Sequence, residues 1–231
     1  MTTLRLGVLA SGRGSNLQAI IDAIEAKDLN ATVALVLSNK NDAMALERAK
    51  RHRIKGIFLD PKFVAGNPDP RRAYDKKILE MLNEHDVQLV LLAGYMKIVT
   101  AVLIDAYQWR MMNIHPSLLP SFPGLHAQRQ ALDAGVKVSG CTVHFVTEGI
   151  DEGPIIVQAA VPVNENDSVD SLSARILEQE HQLYPRAIQL FVEGMLAVEG
   201  RKAKILGTAQ SVSYTHLRAH ETEADLVCRL L

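Results

Sequence analysis

Apolar and polar positions fall in alternating blocks along the first hundred residues. "LRLGVLAS" (4–11) reads as a strand, "NLQAIIDAIEAK" (16–27) as a helix, "TVALVLSN" (32–39) as a strand and "DAMALERAKRH" (42–52) as a helix. "KGIFLD" (55–60), "RRAYDKKILEMLNEH" (71–85) and the unbroken apolar run "VQLVLLAG" (87–94) continue the order strand, helix, strand. Continuously apolar strands separated by helical segments imply a parallel sheet covered on both faces. Right-handed crossovers follow.

After Leu103 the pattern changes. The helical "TAVLIDAY" leads into the strand "RMMNIH" (110–115), an irregular loop, a short helix "QRQALDAG" and the strands "VSGCTVHFV" and "PIIVQAAVPV", close enough to pair antiparallel. Residues 169–194 predict a long helix broken or kinked at Pro185, and residues 195–206 a small hairpin. The expected class is α/β and Rossmann-like: a mostly parallel central sheet with helices on both faces and an antiparallel C-terminal part. No repeat or flexible linker divides the chain, so residues 1–206 are expected to form one domain. Residues 207–231, in which "HETEADLVCRLL" has helical character, read as an atypical tail outside the working fold.

Composition narrows the partners. With 25 basic and 26 acidic residues the formal charge is -1, so nothing draws the chain to nucleic acid or an anionic membrane, and any anion binding has to be local. The apolar start is too short for a signal peptide or a membrane span, which predicts a cytoplasmic protein. Cys141 and Cys228 lack metal-ligand spacing, so neither a disulfide framework nor a zinc site is indicated. Cys141 reads as a small buried side chain.

The first predicted strand ends in "SGRGSN", where Gly12 and Gly14 allow a tight turn and Ser15 and Asn16 open the next helix. Backbone N–H groups in such a place attract an anion. Leu17 stands where a dinucleotide loop needs its third glycine, Ser38 and Asn39 offer no acid for a ribose, and the Gly-Lys-Ser/Thr of a triphosphate loop is missing. The stretch is a site for one phosphate or an ordinary glycine turn and helix cap.

In "MMNIHPSLLPSFPGLH" (111–126), Asn113 and His115 lie two apart on a strand, so both side chains share a face. They stand at a strand end, where open parallel sheets bind ligands. An Asn amide can donate to a developing oxyanion and a His can exchange a proton near neutral pH; a purely structural strand-end His is the competing reading. "TEGIDEGP" (147–154) sets Glu148, Asp151 and Glu152 among turn formers, by default as solvated acids. If Asp151 approaches His115, it is expected to favour the imidazolium and raise that pKa. His144 shares a face with Thr142 while Cys141 points the other way, which disfavours a Cys/His nucleophilic pair. With no G-x-S-x-G elbow and no H-E-x-x-H helix, hydrolysis by a covalent serine or by zinc is not indicated. His52, His85, His126 and His181 read as surface or capping residues, His126 and His181 being candidates to support the site from behind.

Together and in this order, "GSNLQAIIDA", "LAGYMKIV" (92–99), "NIHPSLLPSFPGLH" (113–126), "VHFVTEGIDEGPII" (143–156) and "EQEHQLYP" (178–185) closely resemble the phosphoribosylglycinamide formyltransferase family of purine synthesis, over about residues 4 to 200. The resemblance implies the formyltransferase variant of the fold and transfer of a formyl group from 10-formyltetrahydrofolate, as co-substrate, to the amine of glycinamide ribonucleotide, without a metal. It implies a cytoplasmic monomer or homodimer whose partners are these two small molecules, with no nucleic acid and no membrane. Carried over by motif, Asn113, His115 and Asp151 would be catalytic. Gly14, Ser15 and Asn16 would hold the ribonucleotide phosphate, and a turn of Leu177, Glu178, Gln179 and Glu180 would contact the same substrate, chiefly through the Glu180 carboxylate. Arg71, the segment Met96, Lys97, Ile98 and Val99, Asn113 itself and the loop Thr147, Glu148, Gly149, Ile150 and Asp151 would bind the folate. Lys97 departs from the Arg expected beside the folate, weakening planar bidentate contact, and Leu177 brings no polar side chain to the substrate turn.

Three other readings compete. A formyltetrahydrofolate hydrolase would use the same Asn, His and Asp with water as acceptor, but resembles a longer chain with a regulatory domain ahead of the first strand. A methionyl-tRNA formyltransferase would need a basic RNA-binding extension. A non-catalytic phosphometabolite-binding module would keep the glycine loop without needing Asn113, His115 and Asp151.

Overall fold

The structure, a computed structural model, describes residues 3–207. The chain runs β1 (Leu4–Leu9), α1 (Ser15–Glu25), β2 (Ala31–Ser38), α2 (Met44–Arg51), β3 (Gly56–Phe58), a 3-10 turn (Pro61–Val64), α3 (Pro70–Glu84) and β4 (Leu89–Leu92). It continues with α4 (Ala101–Ala106), β5 (Met111–His115), α5 (Ala127–Asp133), β6 (Val138–Phe145), β7 (Ile155–Pro162), α6 (Val169–Val192) and the hairpin β8 (Leu196–Glu199) and β9 (Lys202–Ile205). Seven strands form one sheet in the order β3-β2-β1-β4-β5-β6-β7. Strands β1 to β5 are parallel, and β6 and β7 join antiparallel. The expected α/β class, with its antiparallel C-terminal part, is borne out.

Alternation along the central strands builds a core on each face. Leu89 and Leu91 of β4 turn to one side, with Leu6 and Val8 of β1, Leu17 and Ile20 of α1 and Tyr184 and Ile188 of α6. Val90 and Leu92 turn to the other, with Tyr74, Ile78 and Leu82 of α3 and Leu103 and Ile104 of α4. Because both faces are covered, these strands carry no polar alternation. Cys141 is a free, buried thiol in a third cluster with Ala131, Leu172 and Ile176. Its expected role as a small core residue is met, whereas Cys228 and the tail beyond Gly207 lie outside the described residues.

Local chemistry sets the helix starts. Asp69 accepts from Arg72 N–H at 3.1 Å ahead of Pro70, which occupies the first helical turn of α3. Ser168 and Ser171 form a reciprocal capping box at the start of α6. Of the two expected outcomes at Pro185, a break does not occur: α6 runs as one helix through it. An interior proline costs about 3 kcal/mol; the flanking residues Tyr184, Ala187, Ile188 and Leu190 are buried, and burying large apolar side chains at roughly 1.5–3 kcal/mol each offsets that cost. The 3-10 turn at Pro61–Val64, which follows the Asp60 cap, was not legible as an element.

Tyr184 pins this helix to the sheet. Its hydroxyl, fully buried, lies 3.0 Å from Met112 O of β5 and 3.2 Å from Leu92 O of β4, donating its one proton between the two carbonyls. Tyr184→Phe is expected to lower stability by about 1 kcal/mol, read as a lower urea midpoint at unchanged m-value.

Candidate active site

The strand order reverses between β1 and β4, and the segments leaving those strands diverge to open a crevice at their C-terminal ends, the usual ligand position in such sheets. Ser11 ties the two sides of the crevice. Its N–H donates to Gly94 O at 3.0 Å, its hydroxyl donates to Asn39 Oδ1 at 2.5 Å, and it accepts from Met96 N–H at 2.8 Å.

On one side lies the glycine loop. Gly14 has φ +67°, a conformation that L side chains rarely adopt, and a Cβ there would stand 2.8 Å from Ala45 Cα. No side chain caps α1, so the N–H groups of its first turn, beginning with Ser15 and Asn16, are available to an anion. Asn16 is buried and donates through Nδ2 to Glu180 Oε2 at 2.7 Å, while its Oδ1 has no partner. Glu180 is only 7% exposed, and burial raises its pKa against the opposing Asn16 bond. Leu177, Glu178, Gln179 and Glu180 form no turn: they lie inside α6. Glu180 sits one helical turn before Tyr184, whose anchorage to the sheet holds that carboxyl beside the glycine loop, whereas Glu178 is exposed.

On the other side, Arg71, Tyr74, Asp75, Met96, Lys97 and Ile98 line a cleft of about 290 Å³. Met96 and Ile98 are more than half exposed, while Val99 turns into the core. Lys97 Nζ stands 5.0 Å from the centroid of the Tyr74 ring, so Lys97 holds a cation over an aromatic face. Asp75 accepts from Thr100 N–H at 2.5 Å beneath this cleft, and burial raises its pKa. Thr147, Glu148, Gly149 and Ile150 do not line the cleft; they follow β6 and lead to Asp151.

Asn113, His115 and Asp151 meet. Asp151 Oδ2 stands 3.2 Å from His115 Nδ1 and accepts from Gly124 N–H at 2.8 Å. Its Oδ1 lies 3.4 Å from Asn113 Nδ2 and 3.6 Å from His144 Nε2. Asp151 itself has φ +54°, a left-handed turn that Asp tolerates. The fourth member is His144, which the sequence motifs do not assign to the site. Antiparallel pairing sets it directly across from Asn113, with the two side chains 3.2 Å apart. Its Nδ1 faces Phe145 O at 2.8 Å, and its Nε2 stands near both Asn113 Nδ2 and Asp151 Oδ1. Its sequence signal was present, a polar residue on the Thr142 face, but its partner strand was not.

The electrostatics correct one expectation. Burial lowers the pKa of His115 and outweighs the opposing influences of Phe122 O and Asp151, so the net shift is downward, not upward. Both ring nitrogens nonetheless face acceptors, with Nε2 at 2.9 Å from Phe122 O, and only the imidazolium satisfies both. Burial also pushes the Asp151 carboxyl up, but its hydrogen bonds with His144 and Gly124 and the nearby imidazoles hold it below its ordinary value. Among the described residues, no group of three or more His, Cys, Asp or Glu is arranged to hold a metal ion, and no helix is long and apolar enough to cross a membrane. His126 is exposed at the start of α5; His181 is half-buried on α6, its Nε2 without a partner.

A family model described as formyl transferase matches residues 4–188. The chain belongs to the formyl transferase family. Within it, the chain is 44% identical over 204 residues to the phosphoribosylglycinamide formyltransferase of Escherichia coli K12, covering 88% of this chain and 94% of that one. It is 48% identical over 192 residues to the trifunctional purine biosynthetic protein adenosine-3 of Drosophila melanogaster, covering 82% of this chain but only 14% of that much longer protein. The crystal structure of glycinamide ribonucleotide transformylase 1 from Symbiobacterium toebii superposes with a TM-score of 0.85 at 54% identity, over 88% of this chain and 94% of that one. The resemblance drawn from the motifs is therefore borne out.

The sign of the His115 shift makes a test. A folded ring that binds its proton less readily than the unfolded one costs stability as pH falls through the window just below the ordinary histidine value. Asp151→Asn removes a partner that raises this pKa, so NMR titration should find the His115 midpoint lower still in that variant.

Proposed function

We propose that the protein transfers the formyl group of 10-formyltetrahydrofolate to the amine of N1-(5-phosphoribosyl)glycinamide, giving the N-formyl product and tetrahydrofolate in de novo purine biosynthesis. The observation that carries this reading is the cluster of half-buried Asn113 and Asp151 with buried His115 and His144, within a formyl transferase chain whose glycine loop and cationic cleft flank one crevice. The names of its single-function relatives support it. Its partners in this reading are the two small molecules, in the cytoplasm, and the chemistry calls for no metal.

Gly14, Ser15 and Asn16 take the ribonucleotide phosphate, and Glu180, aligned by Asn16, meets the same substrate. Arg71 and Met96 to Ile98 hold the folate in the cleft, and Thr147 to Asp151 close around its reacting end. The substrate amine attacks the formyl carbon, and charge gathers on the formyl oxygen. Asn113 Nδ2 and the His115 imidazolium stabilise that oxygen. His115 Nε2 faces Phe122 O in the free protein, so a direct bond to the formyl oxygen exchanges one carbonyl-type partner for another. As the intermediate collapses, the bond from the formyl carbon to the folate nitrogen breaks and that nitrogen takes up the proton lost by the amine. Asp151 stabilises the imidazolium and orients the ring; His144 and Gly124 fix Asp151. Proton transfer by a placed side chain contributes about 10² to 10⁴ in rate, and holding two substrates together contributes several kcal/mol more. Residues 1–206 make up the working unit in this reading, with 207–231 an extension.

Release of deformylated folate, followed spectroscopically with and without the ribonucleotide, tests the assignment. Release that requires the ribonucleotide is expected. Release in its absence would indicate a hydrolase, and no release in either case a binding module. His115→Ala should lower kcat by roughly 10² or more while both substrates still bind. A chain ending at Leu206 should keep wild-type turnover and thermal midpoint; a large loss of either refutes the assignment of the tail.

A further inference from the structure

Helix α2 forms the floor of the glycine loop. Ala45 N–H donates to Gly12 O at 3.2 Å, and Ala45 Cα is the atom that a side chain at Gly14 would strike. One turn along α2, Arg48 reaches the loop from the same side. Its Nε–H donates to Arg13 O at 2.9 Å and its Nη1–H to Gln18 Oε1 at 3.0 Å. Gln18 in turn closes the first turn of α1, its N–H donating to Gly14 O at 3.0 Å. One planar guanidinium thus fastens the peptide that precedes Gly14 to the helix that follows it.

The surroundings hold the fork in place. Gln18 Nε2 donates to Asp22 Oδ1 at 2.8 Å and lies 3.1 Å from His52 Nε2, and His52 Nδ1 pairs with Glu25 Oε1 at 2.8 Å. His181 of α6 also faces Arg48 and Asp22; burial and then the Arg48 charge lower its pKa. Arg48 is half-buried, unlike the exposed Arg13 of the loop itself. Two of its five N–H donors are engaged in these bonds, and the delocalised guanidinium keeps a fixed positive charge behind the loop.

We propose that Arg48 is a positioning residue for the substrate phosphate: its fork sets the Arg13–Gly14 backbone so that the N–H groups opening α1 converge on one anion. The proposal rests on the reading that this loop binds the ribonucleotide phosphate. Lysine cannot replace the fork, because a single ammonium does not present two coplanar donors to Arg13 O and Gln18 Oε1. Charge alone is therefore insufficient.

Steady-state kinetics of Arg48→Lys and Arg48→Gln, with inorganic phosphate as a competitor, test it. Both variants should raise KM for the ribonucleotide roughly tenfold, the scale of one lost charge-assisted hydrogen bond, and weaken phosphate inhibition by a similar factor. The KM for formyl folate and kcat should stay within about twofold, since no group that meets the folate or the reacting atoms is touched. An unchanged ribonucleotide KM overturns the proposal, as does full rescue by Lys. A parallel loss of kcat, both KM values and thermal midpoint also overturns it, since that pattern marks a structural brace. Two controls separate this from failure of the phosphate reading. In the parent protein inorganic phosphate should compete with the ribonucleotide, and Gly14→Ala should raise its KM; if neither holds, the loop is not the phosphate site. If both hold while the Arg48 variants behave as the parent, only the role of Arg48 falls.

Discussion

The carboxylate of Asp151 gathers groups from three segments that are distant in the chain: Asn113 and His115 of β5, His144 of β6 and Gly124 of the intervening loop. A charge only 14% exposed is tolerated because these neighbours hydrogen-bond or oppose it. Remove it and two buried imidazoles, an amide and a backbone N–H lose their common partner together. The geometry of the site is thus the geometry of one desolvated anion, and the left-handed backbone at Asp151 serves to aim it inward.

Much of the fold was legible because the strands are buried on both faces and so are apolar without interruption, while turn and cap residues separate them. The short β3 and the 3-10 turn carried too little pattern to be bounded well. The helix continues through Pro185 for a physical reason. A local rule about helix interiors yields to tertiary burial, and sequence shows the proline but not the core packed around it. The site was legible where it depends on residue type and spacing, as with Asn113 and His115, or on family motifs, as with Asp151. It was hidden where it depends on pairing. His144 belongs to the site only because β6 runs antiparallel to β5, and the downward shift of His115 arises from burial, which no spacing of residues reveals.

The two halves of the crevice use different physics. The glycine loop offers backbone donors braced by α2, where Gly14 is obligatory because Ala45 stands where a side chain would go. The cleft lined by Arg71 and Lys97 offers one exposed and one half-buried cation and the apolar faces of Met96 and Ile98. The first suits a compact anion held in one place, the second an extended ligand with an aromatic body and a charged end. Ser11, bonded to both sides, keeps the halves in fixed relation.

The antiparallel pairing of β5 with β6 also constrains how such a chain can change in length. Asn113 faces His144 and His115 faces Thr142; insertion or deletion of one residue within either strand would bring Val143 or Phe145 opposite Asn113 and turn the histidine to the other side of the sheet. The neighbouring irregularity between β6 and β7, at Val143 and His144, and the close approach of Gly153 to Phe145 O leave little freedom to absorb such a slip. A change of length is thereby tolerated only in the connection between the two strands, and a change within the strands only as substitution.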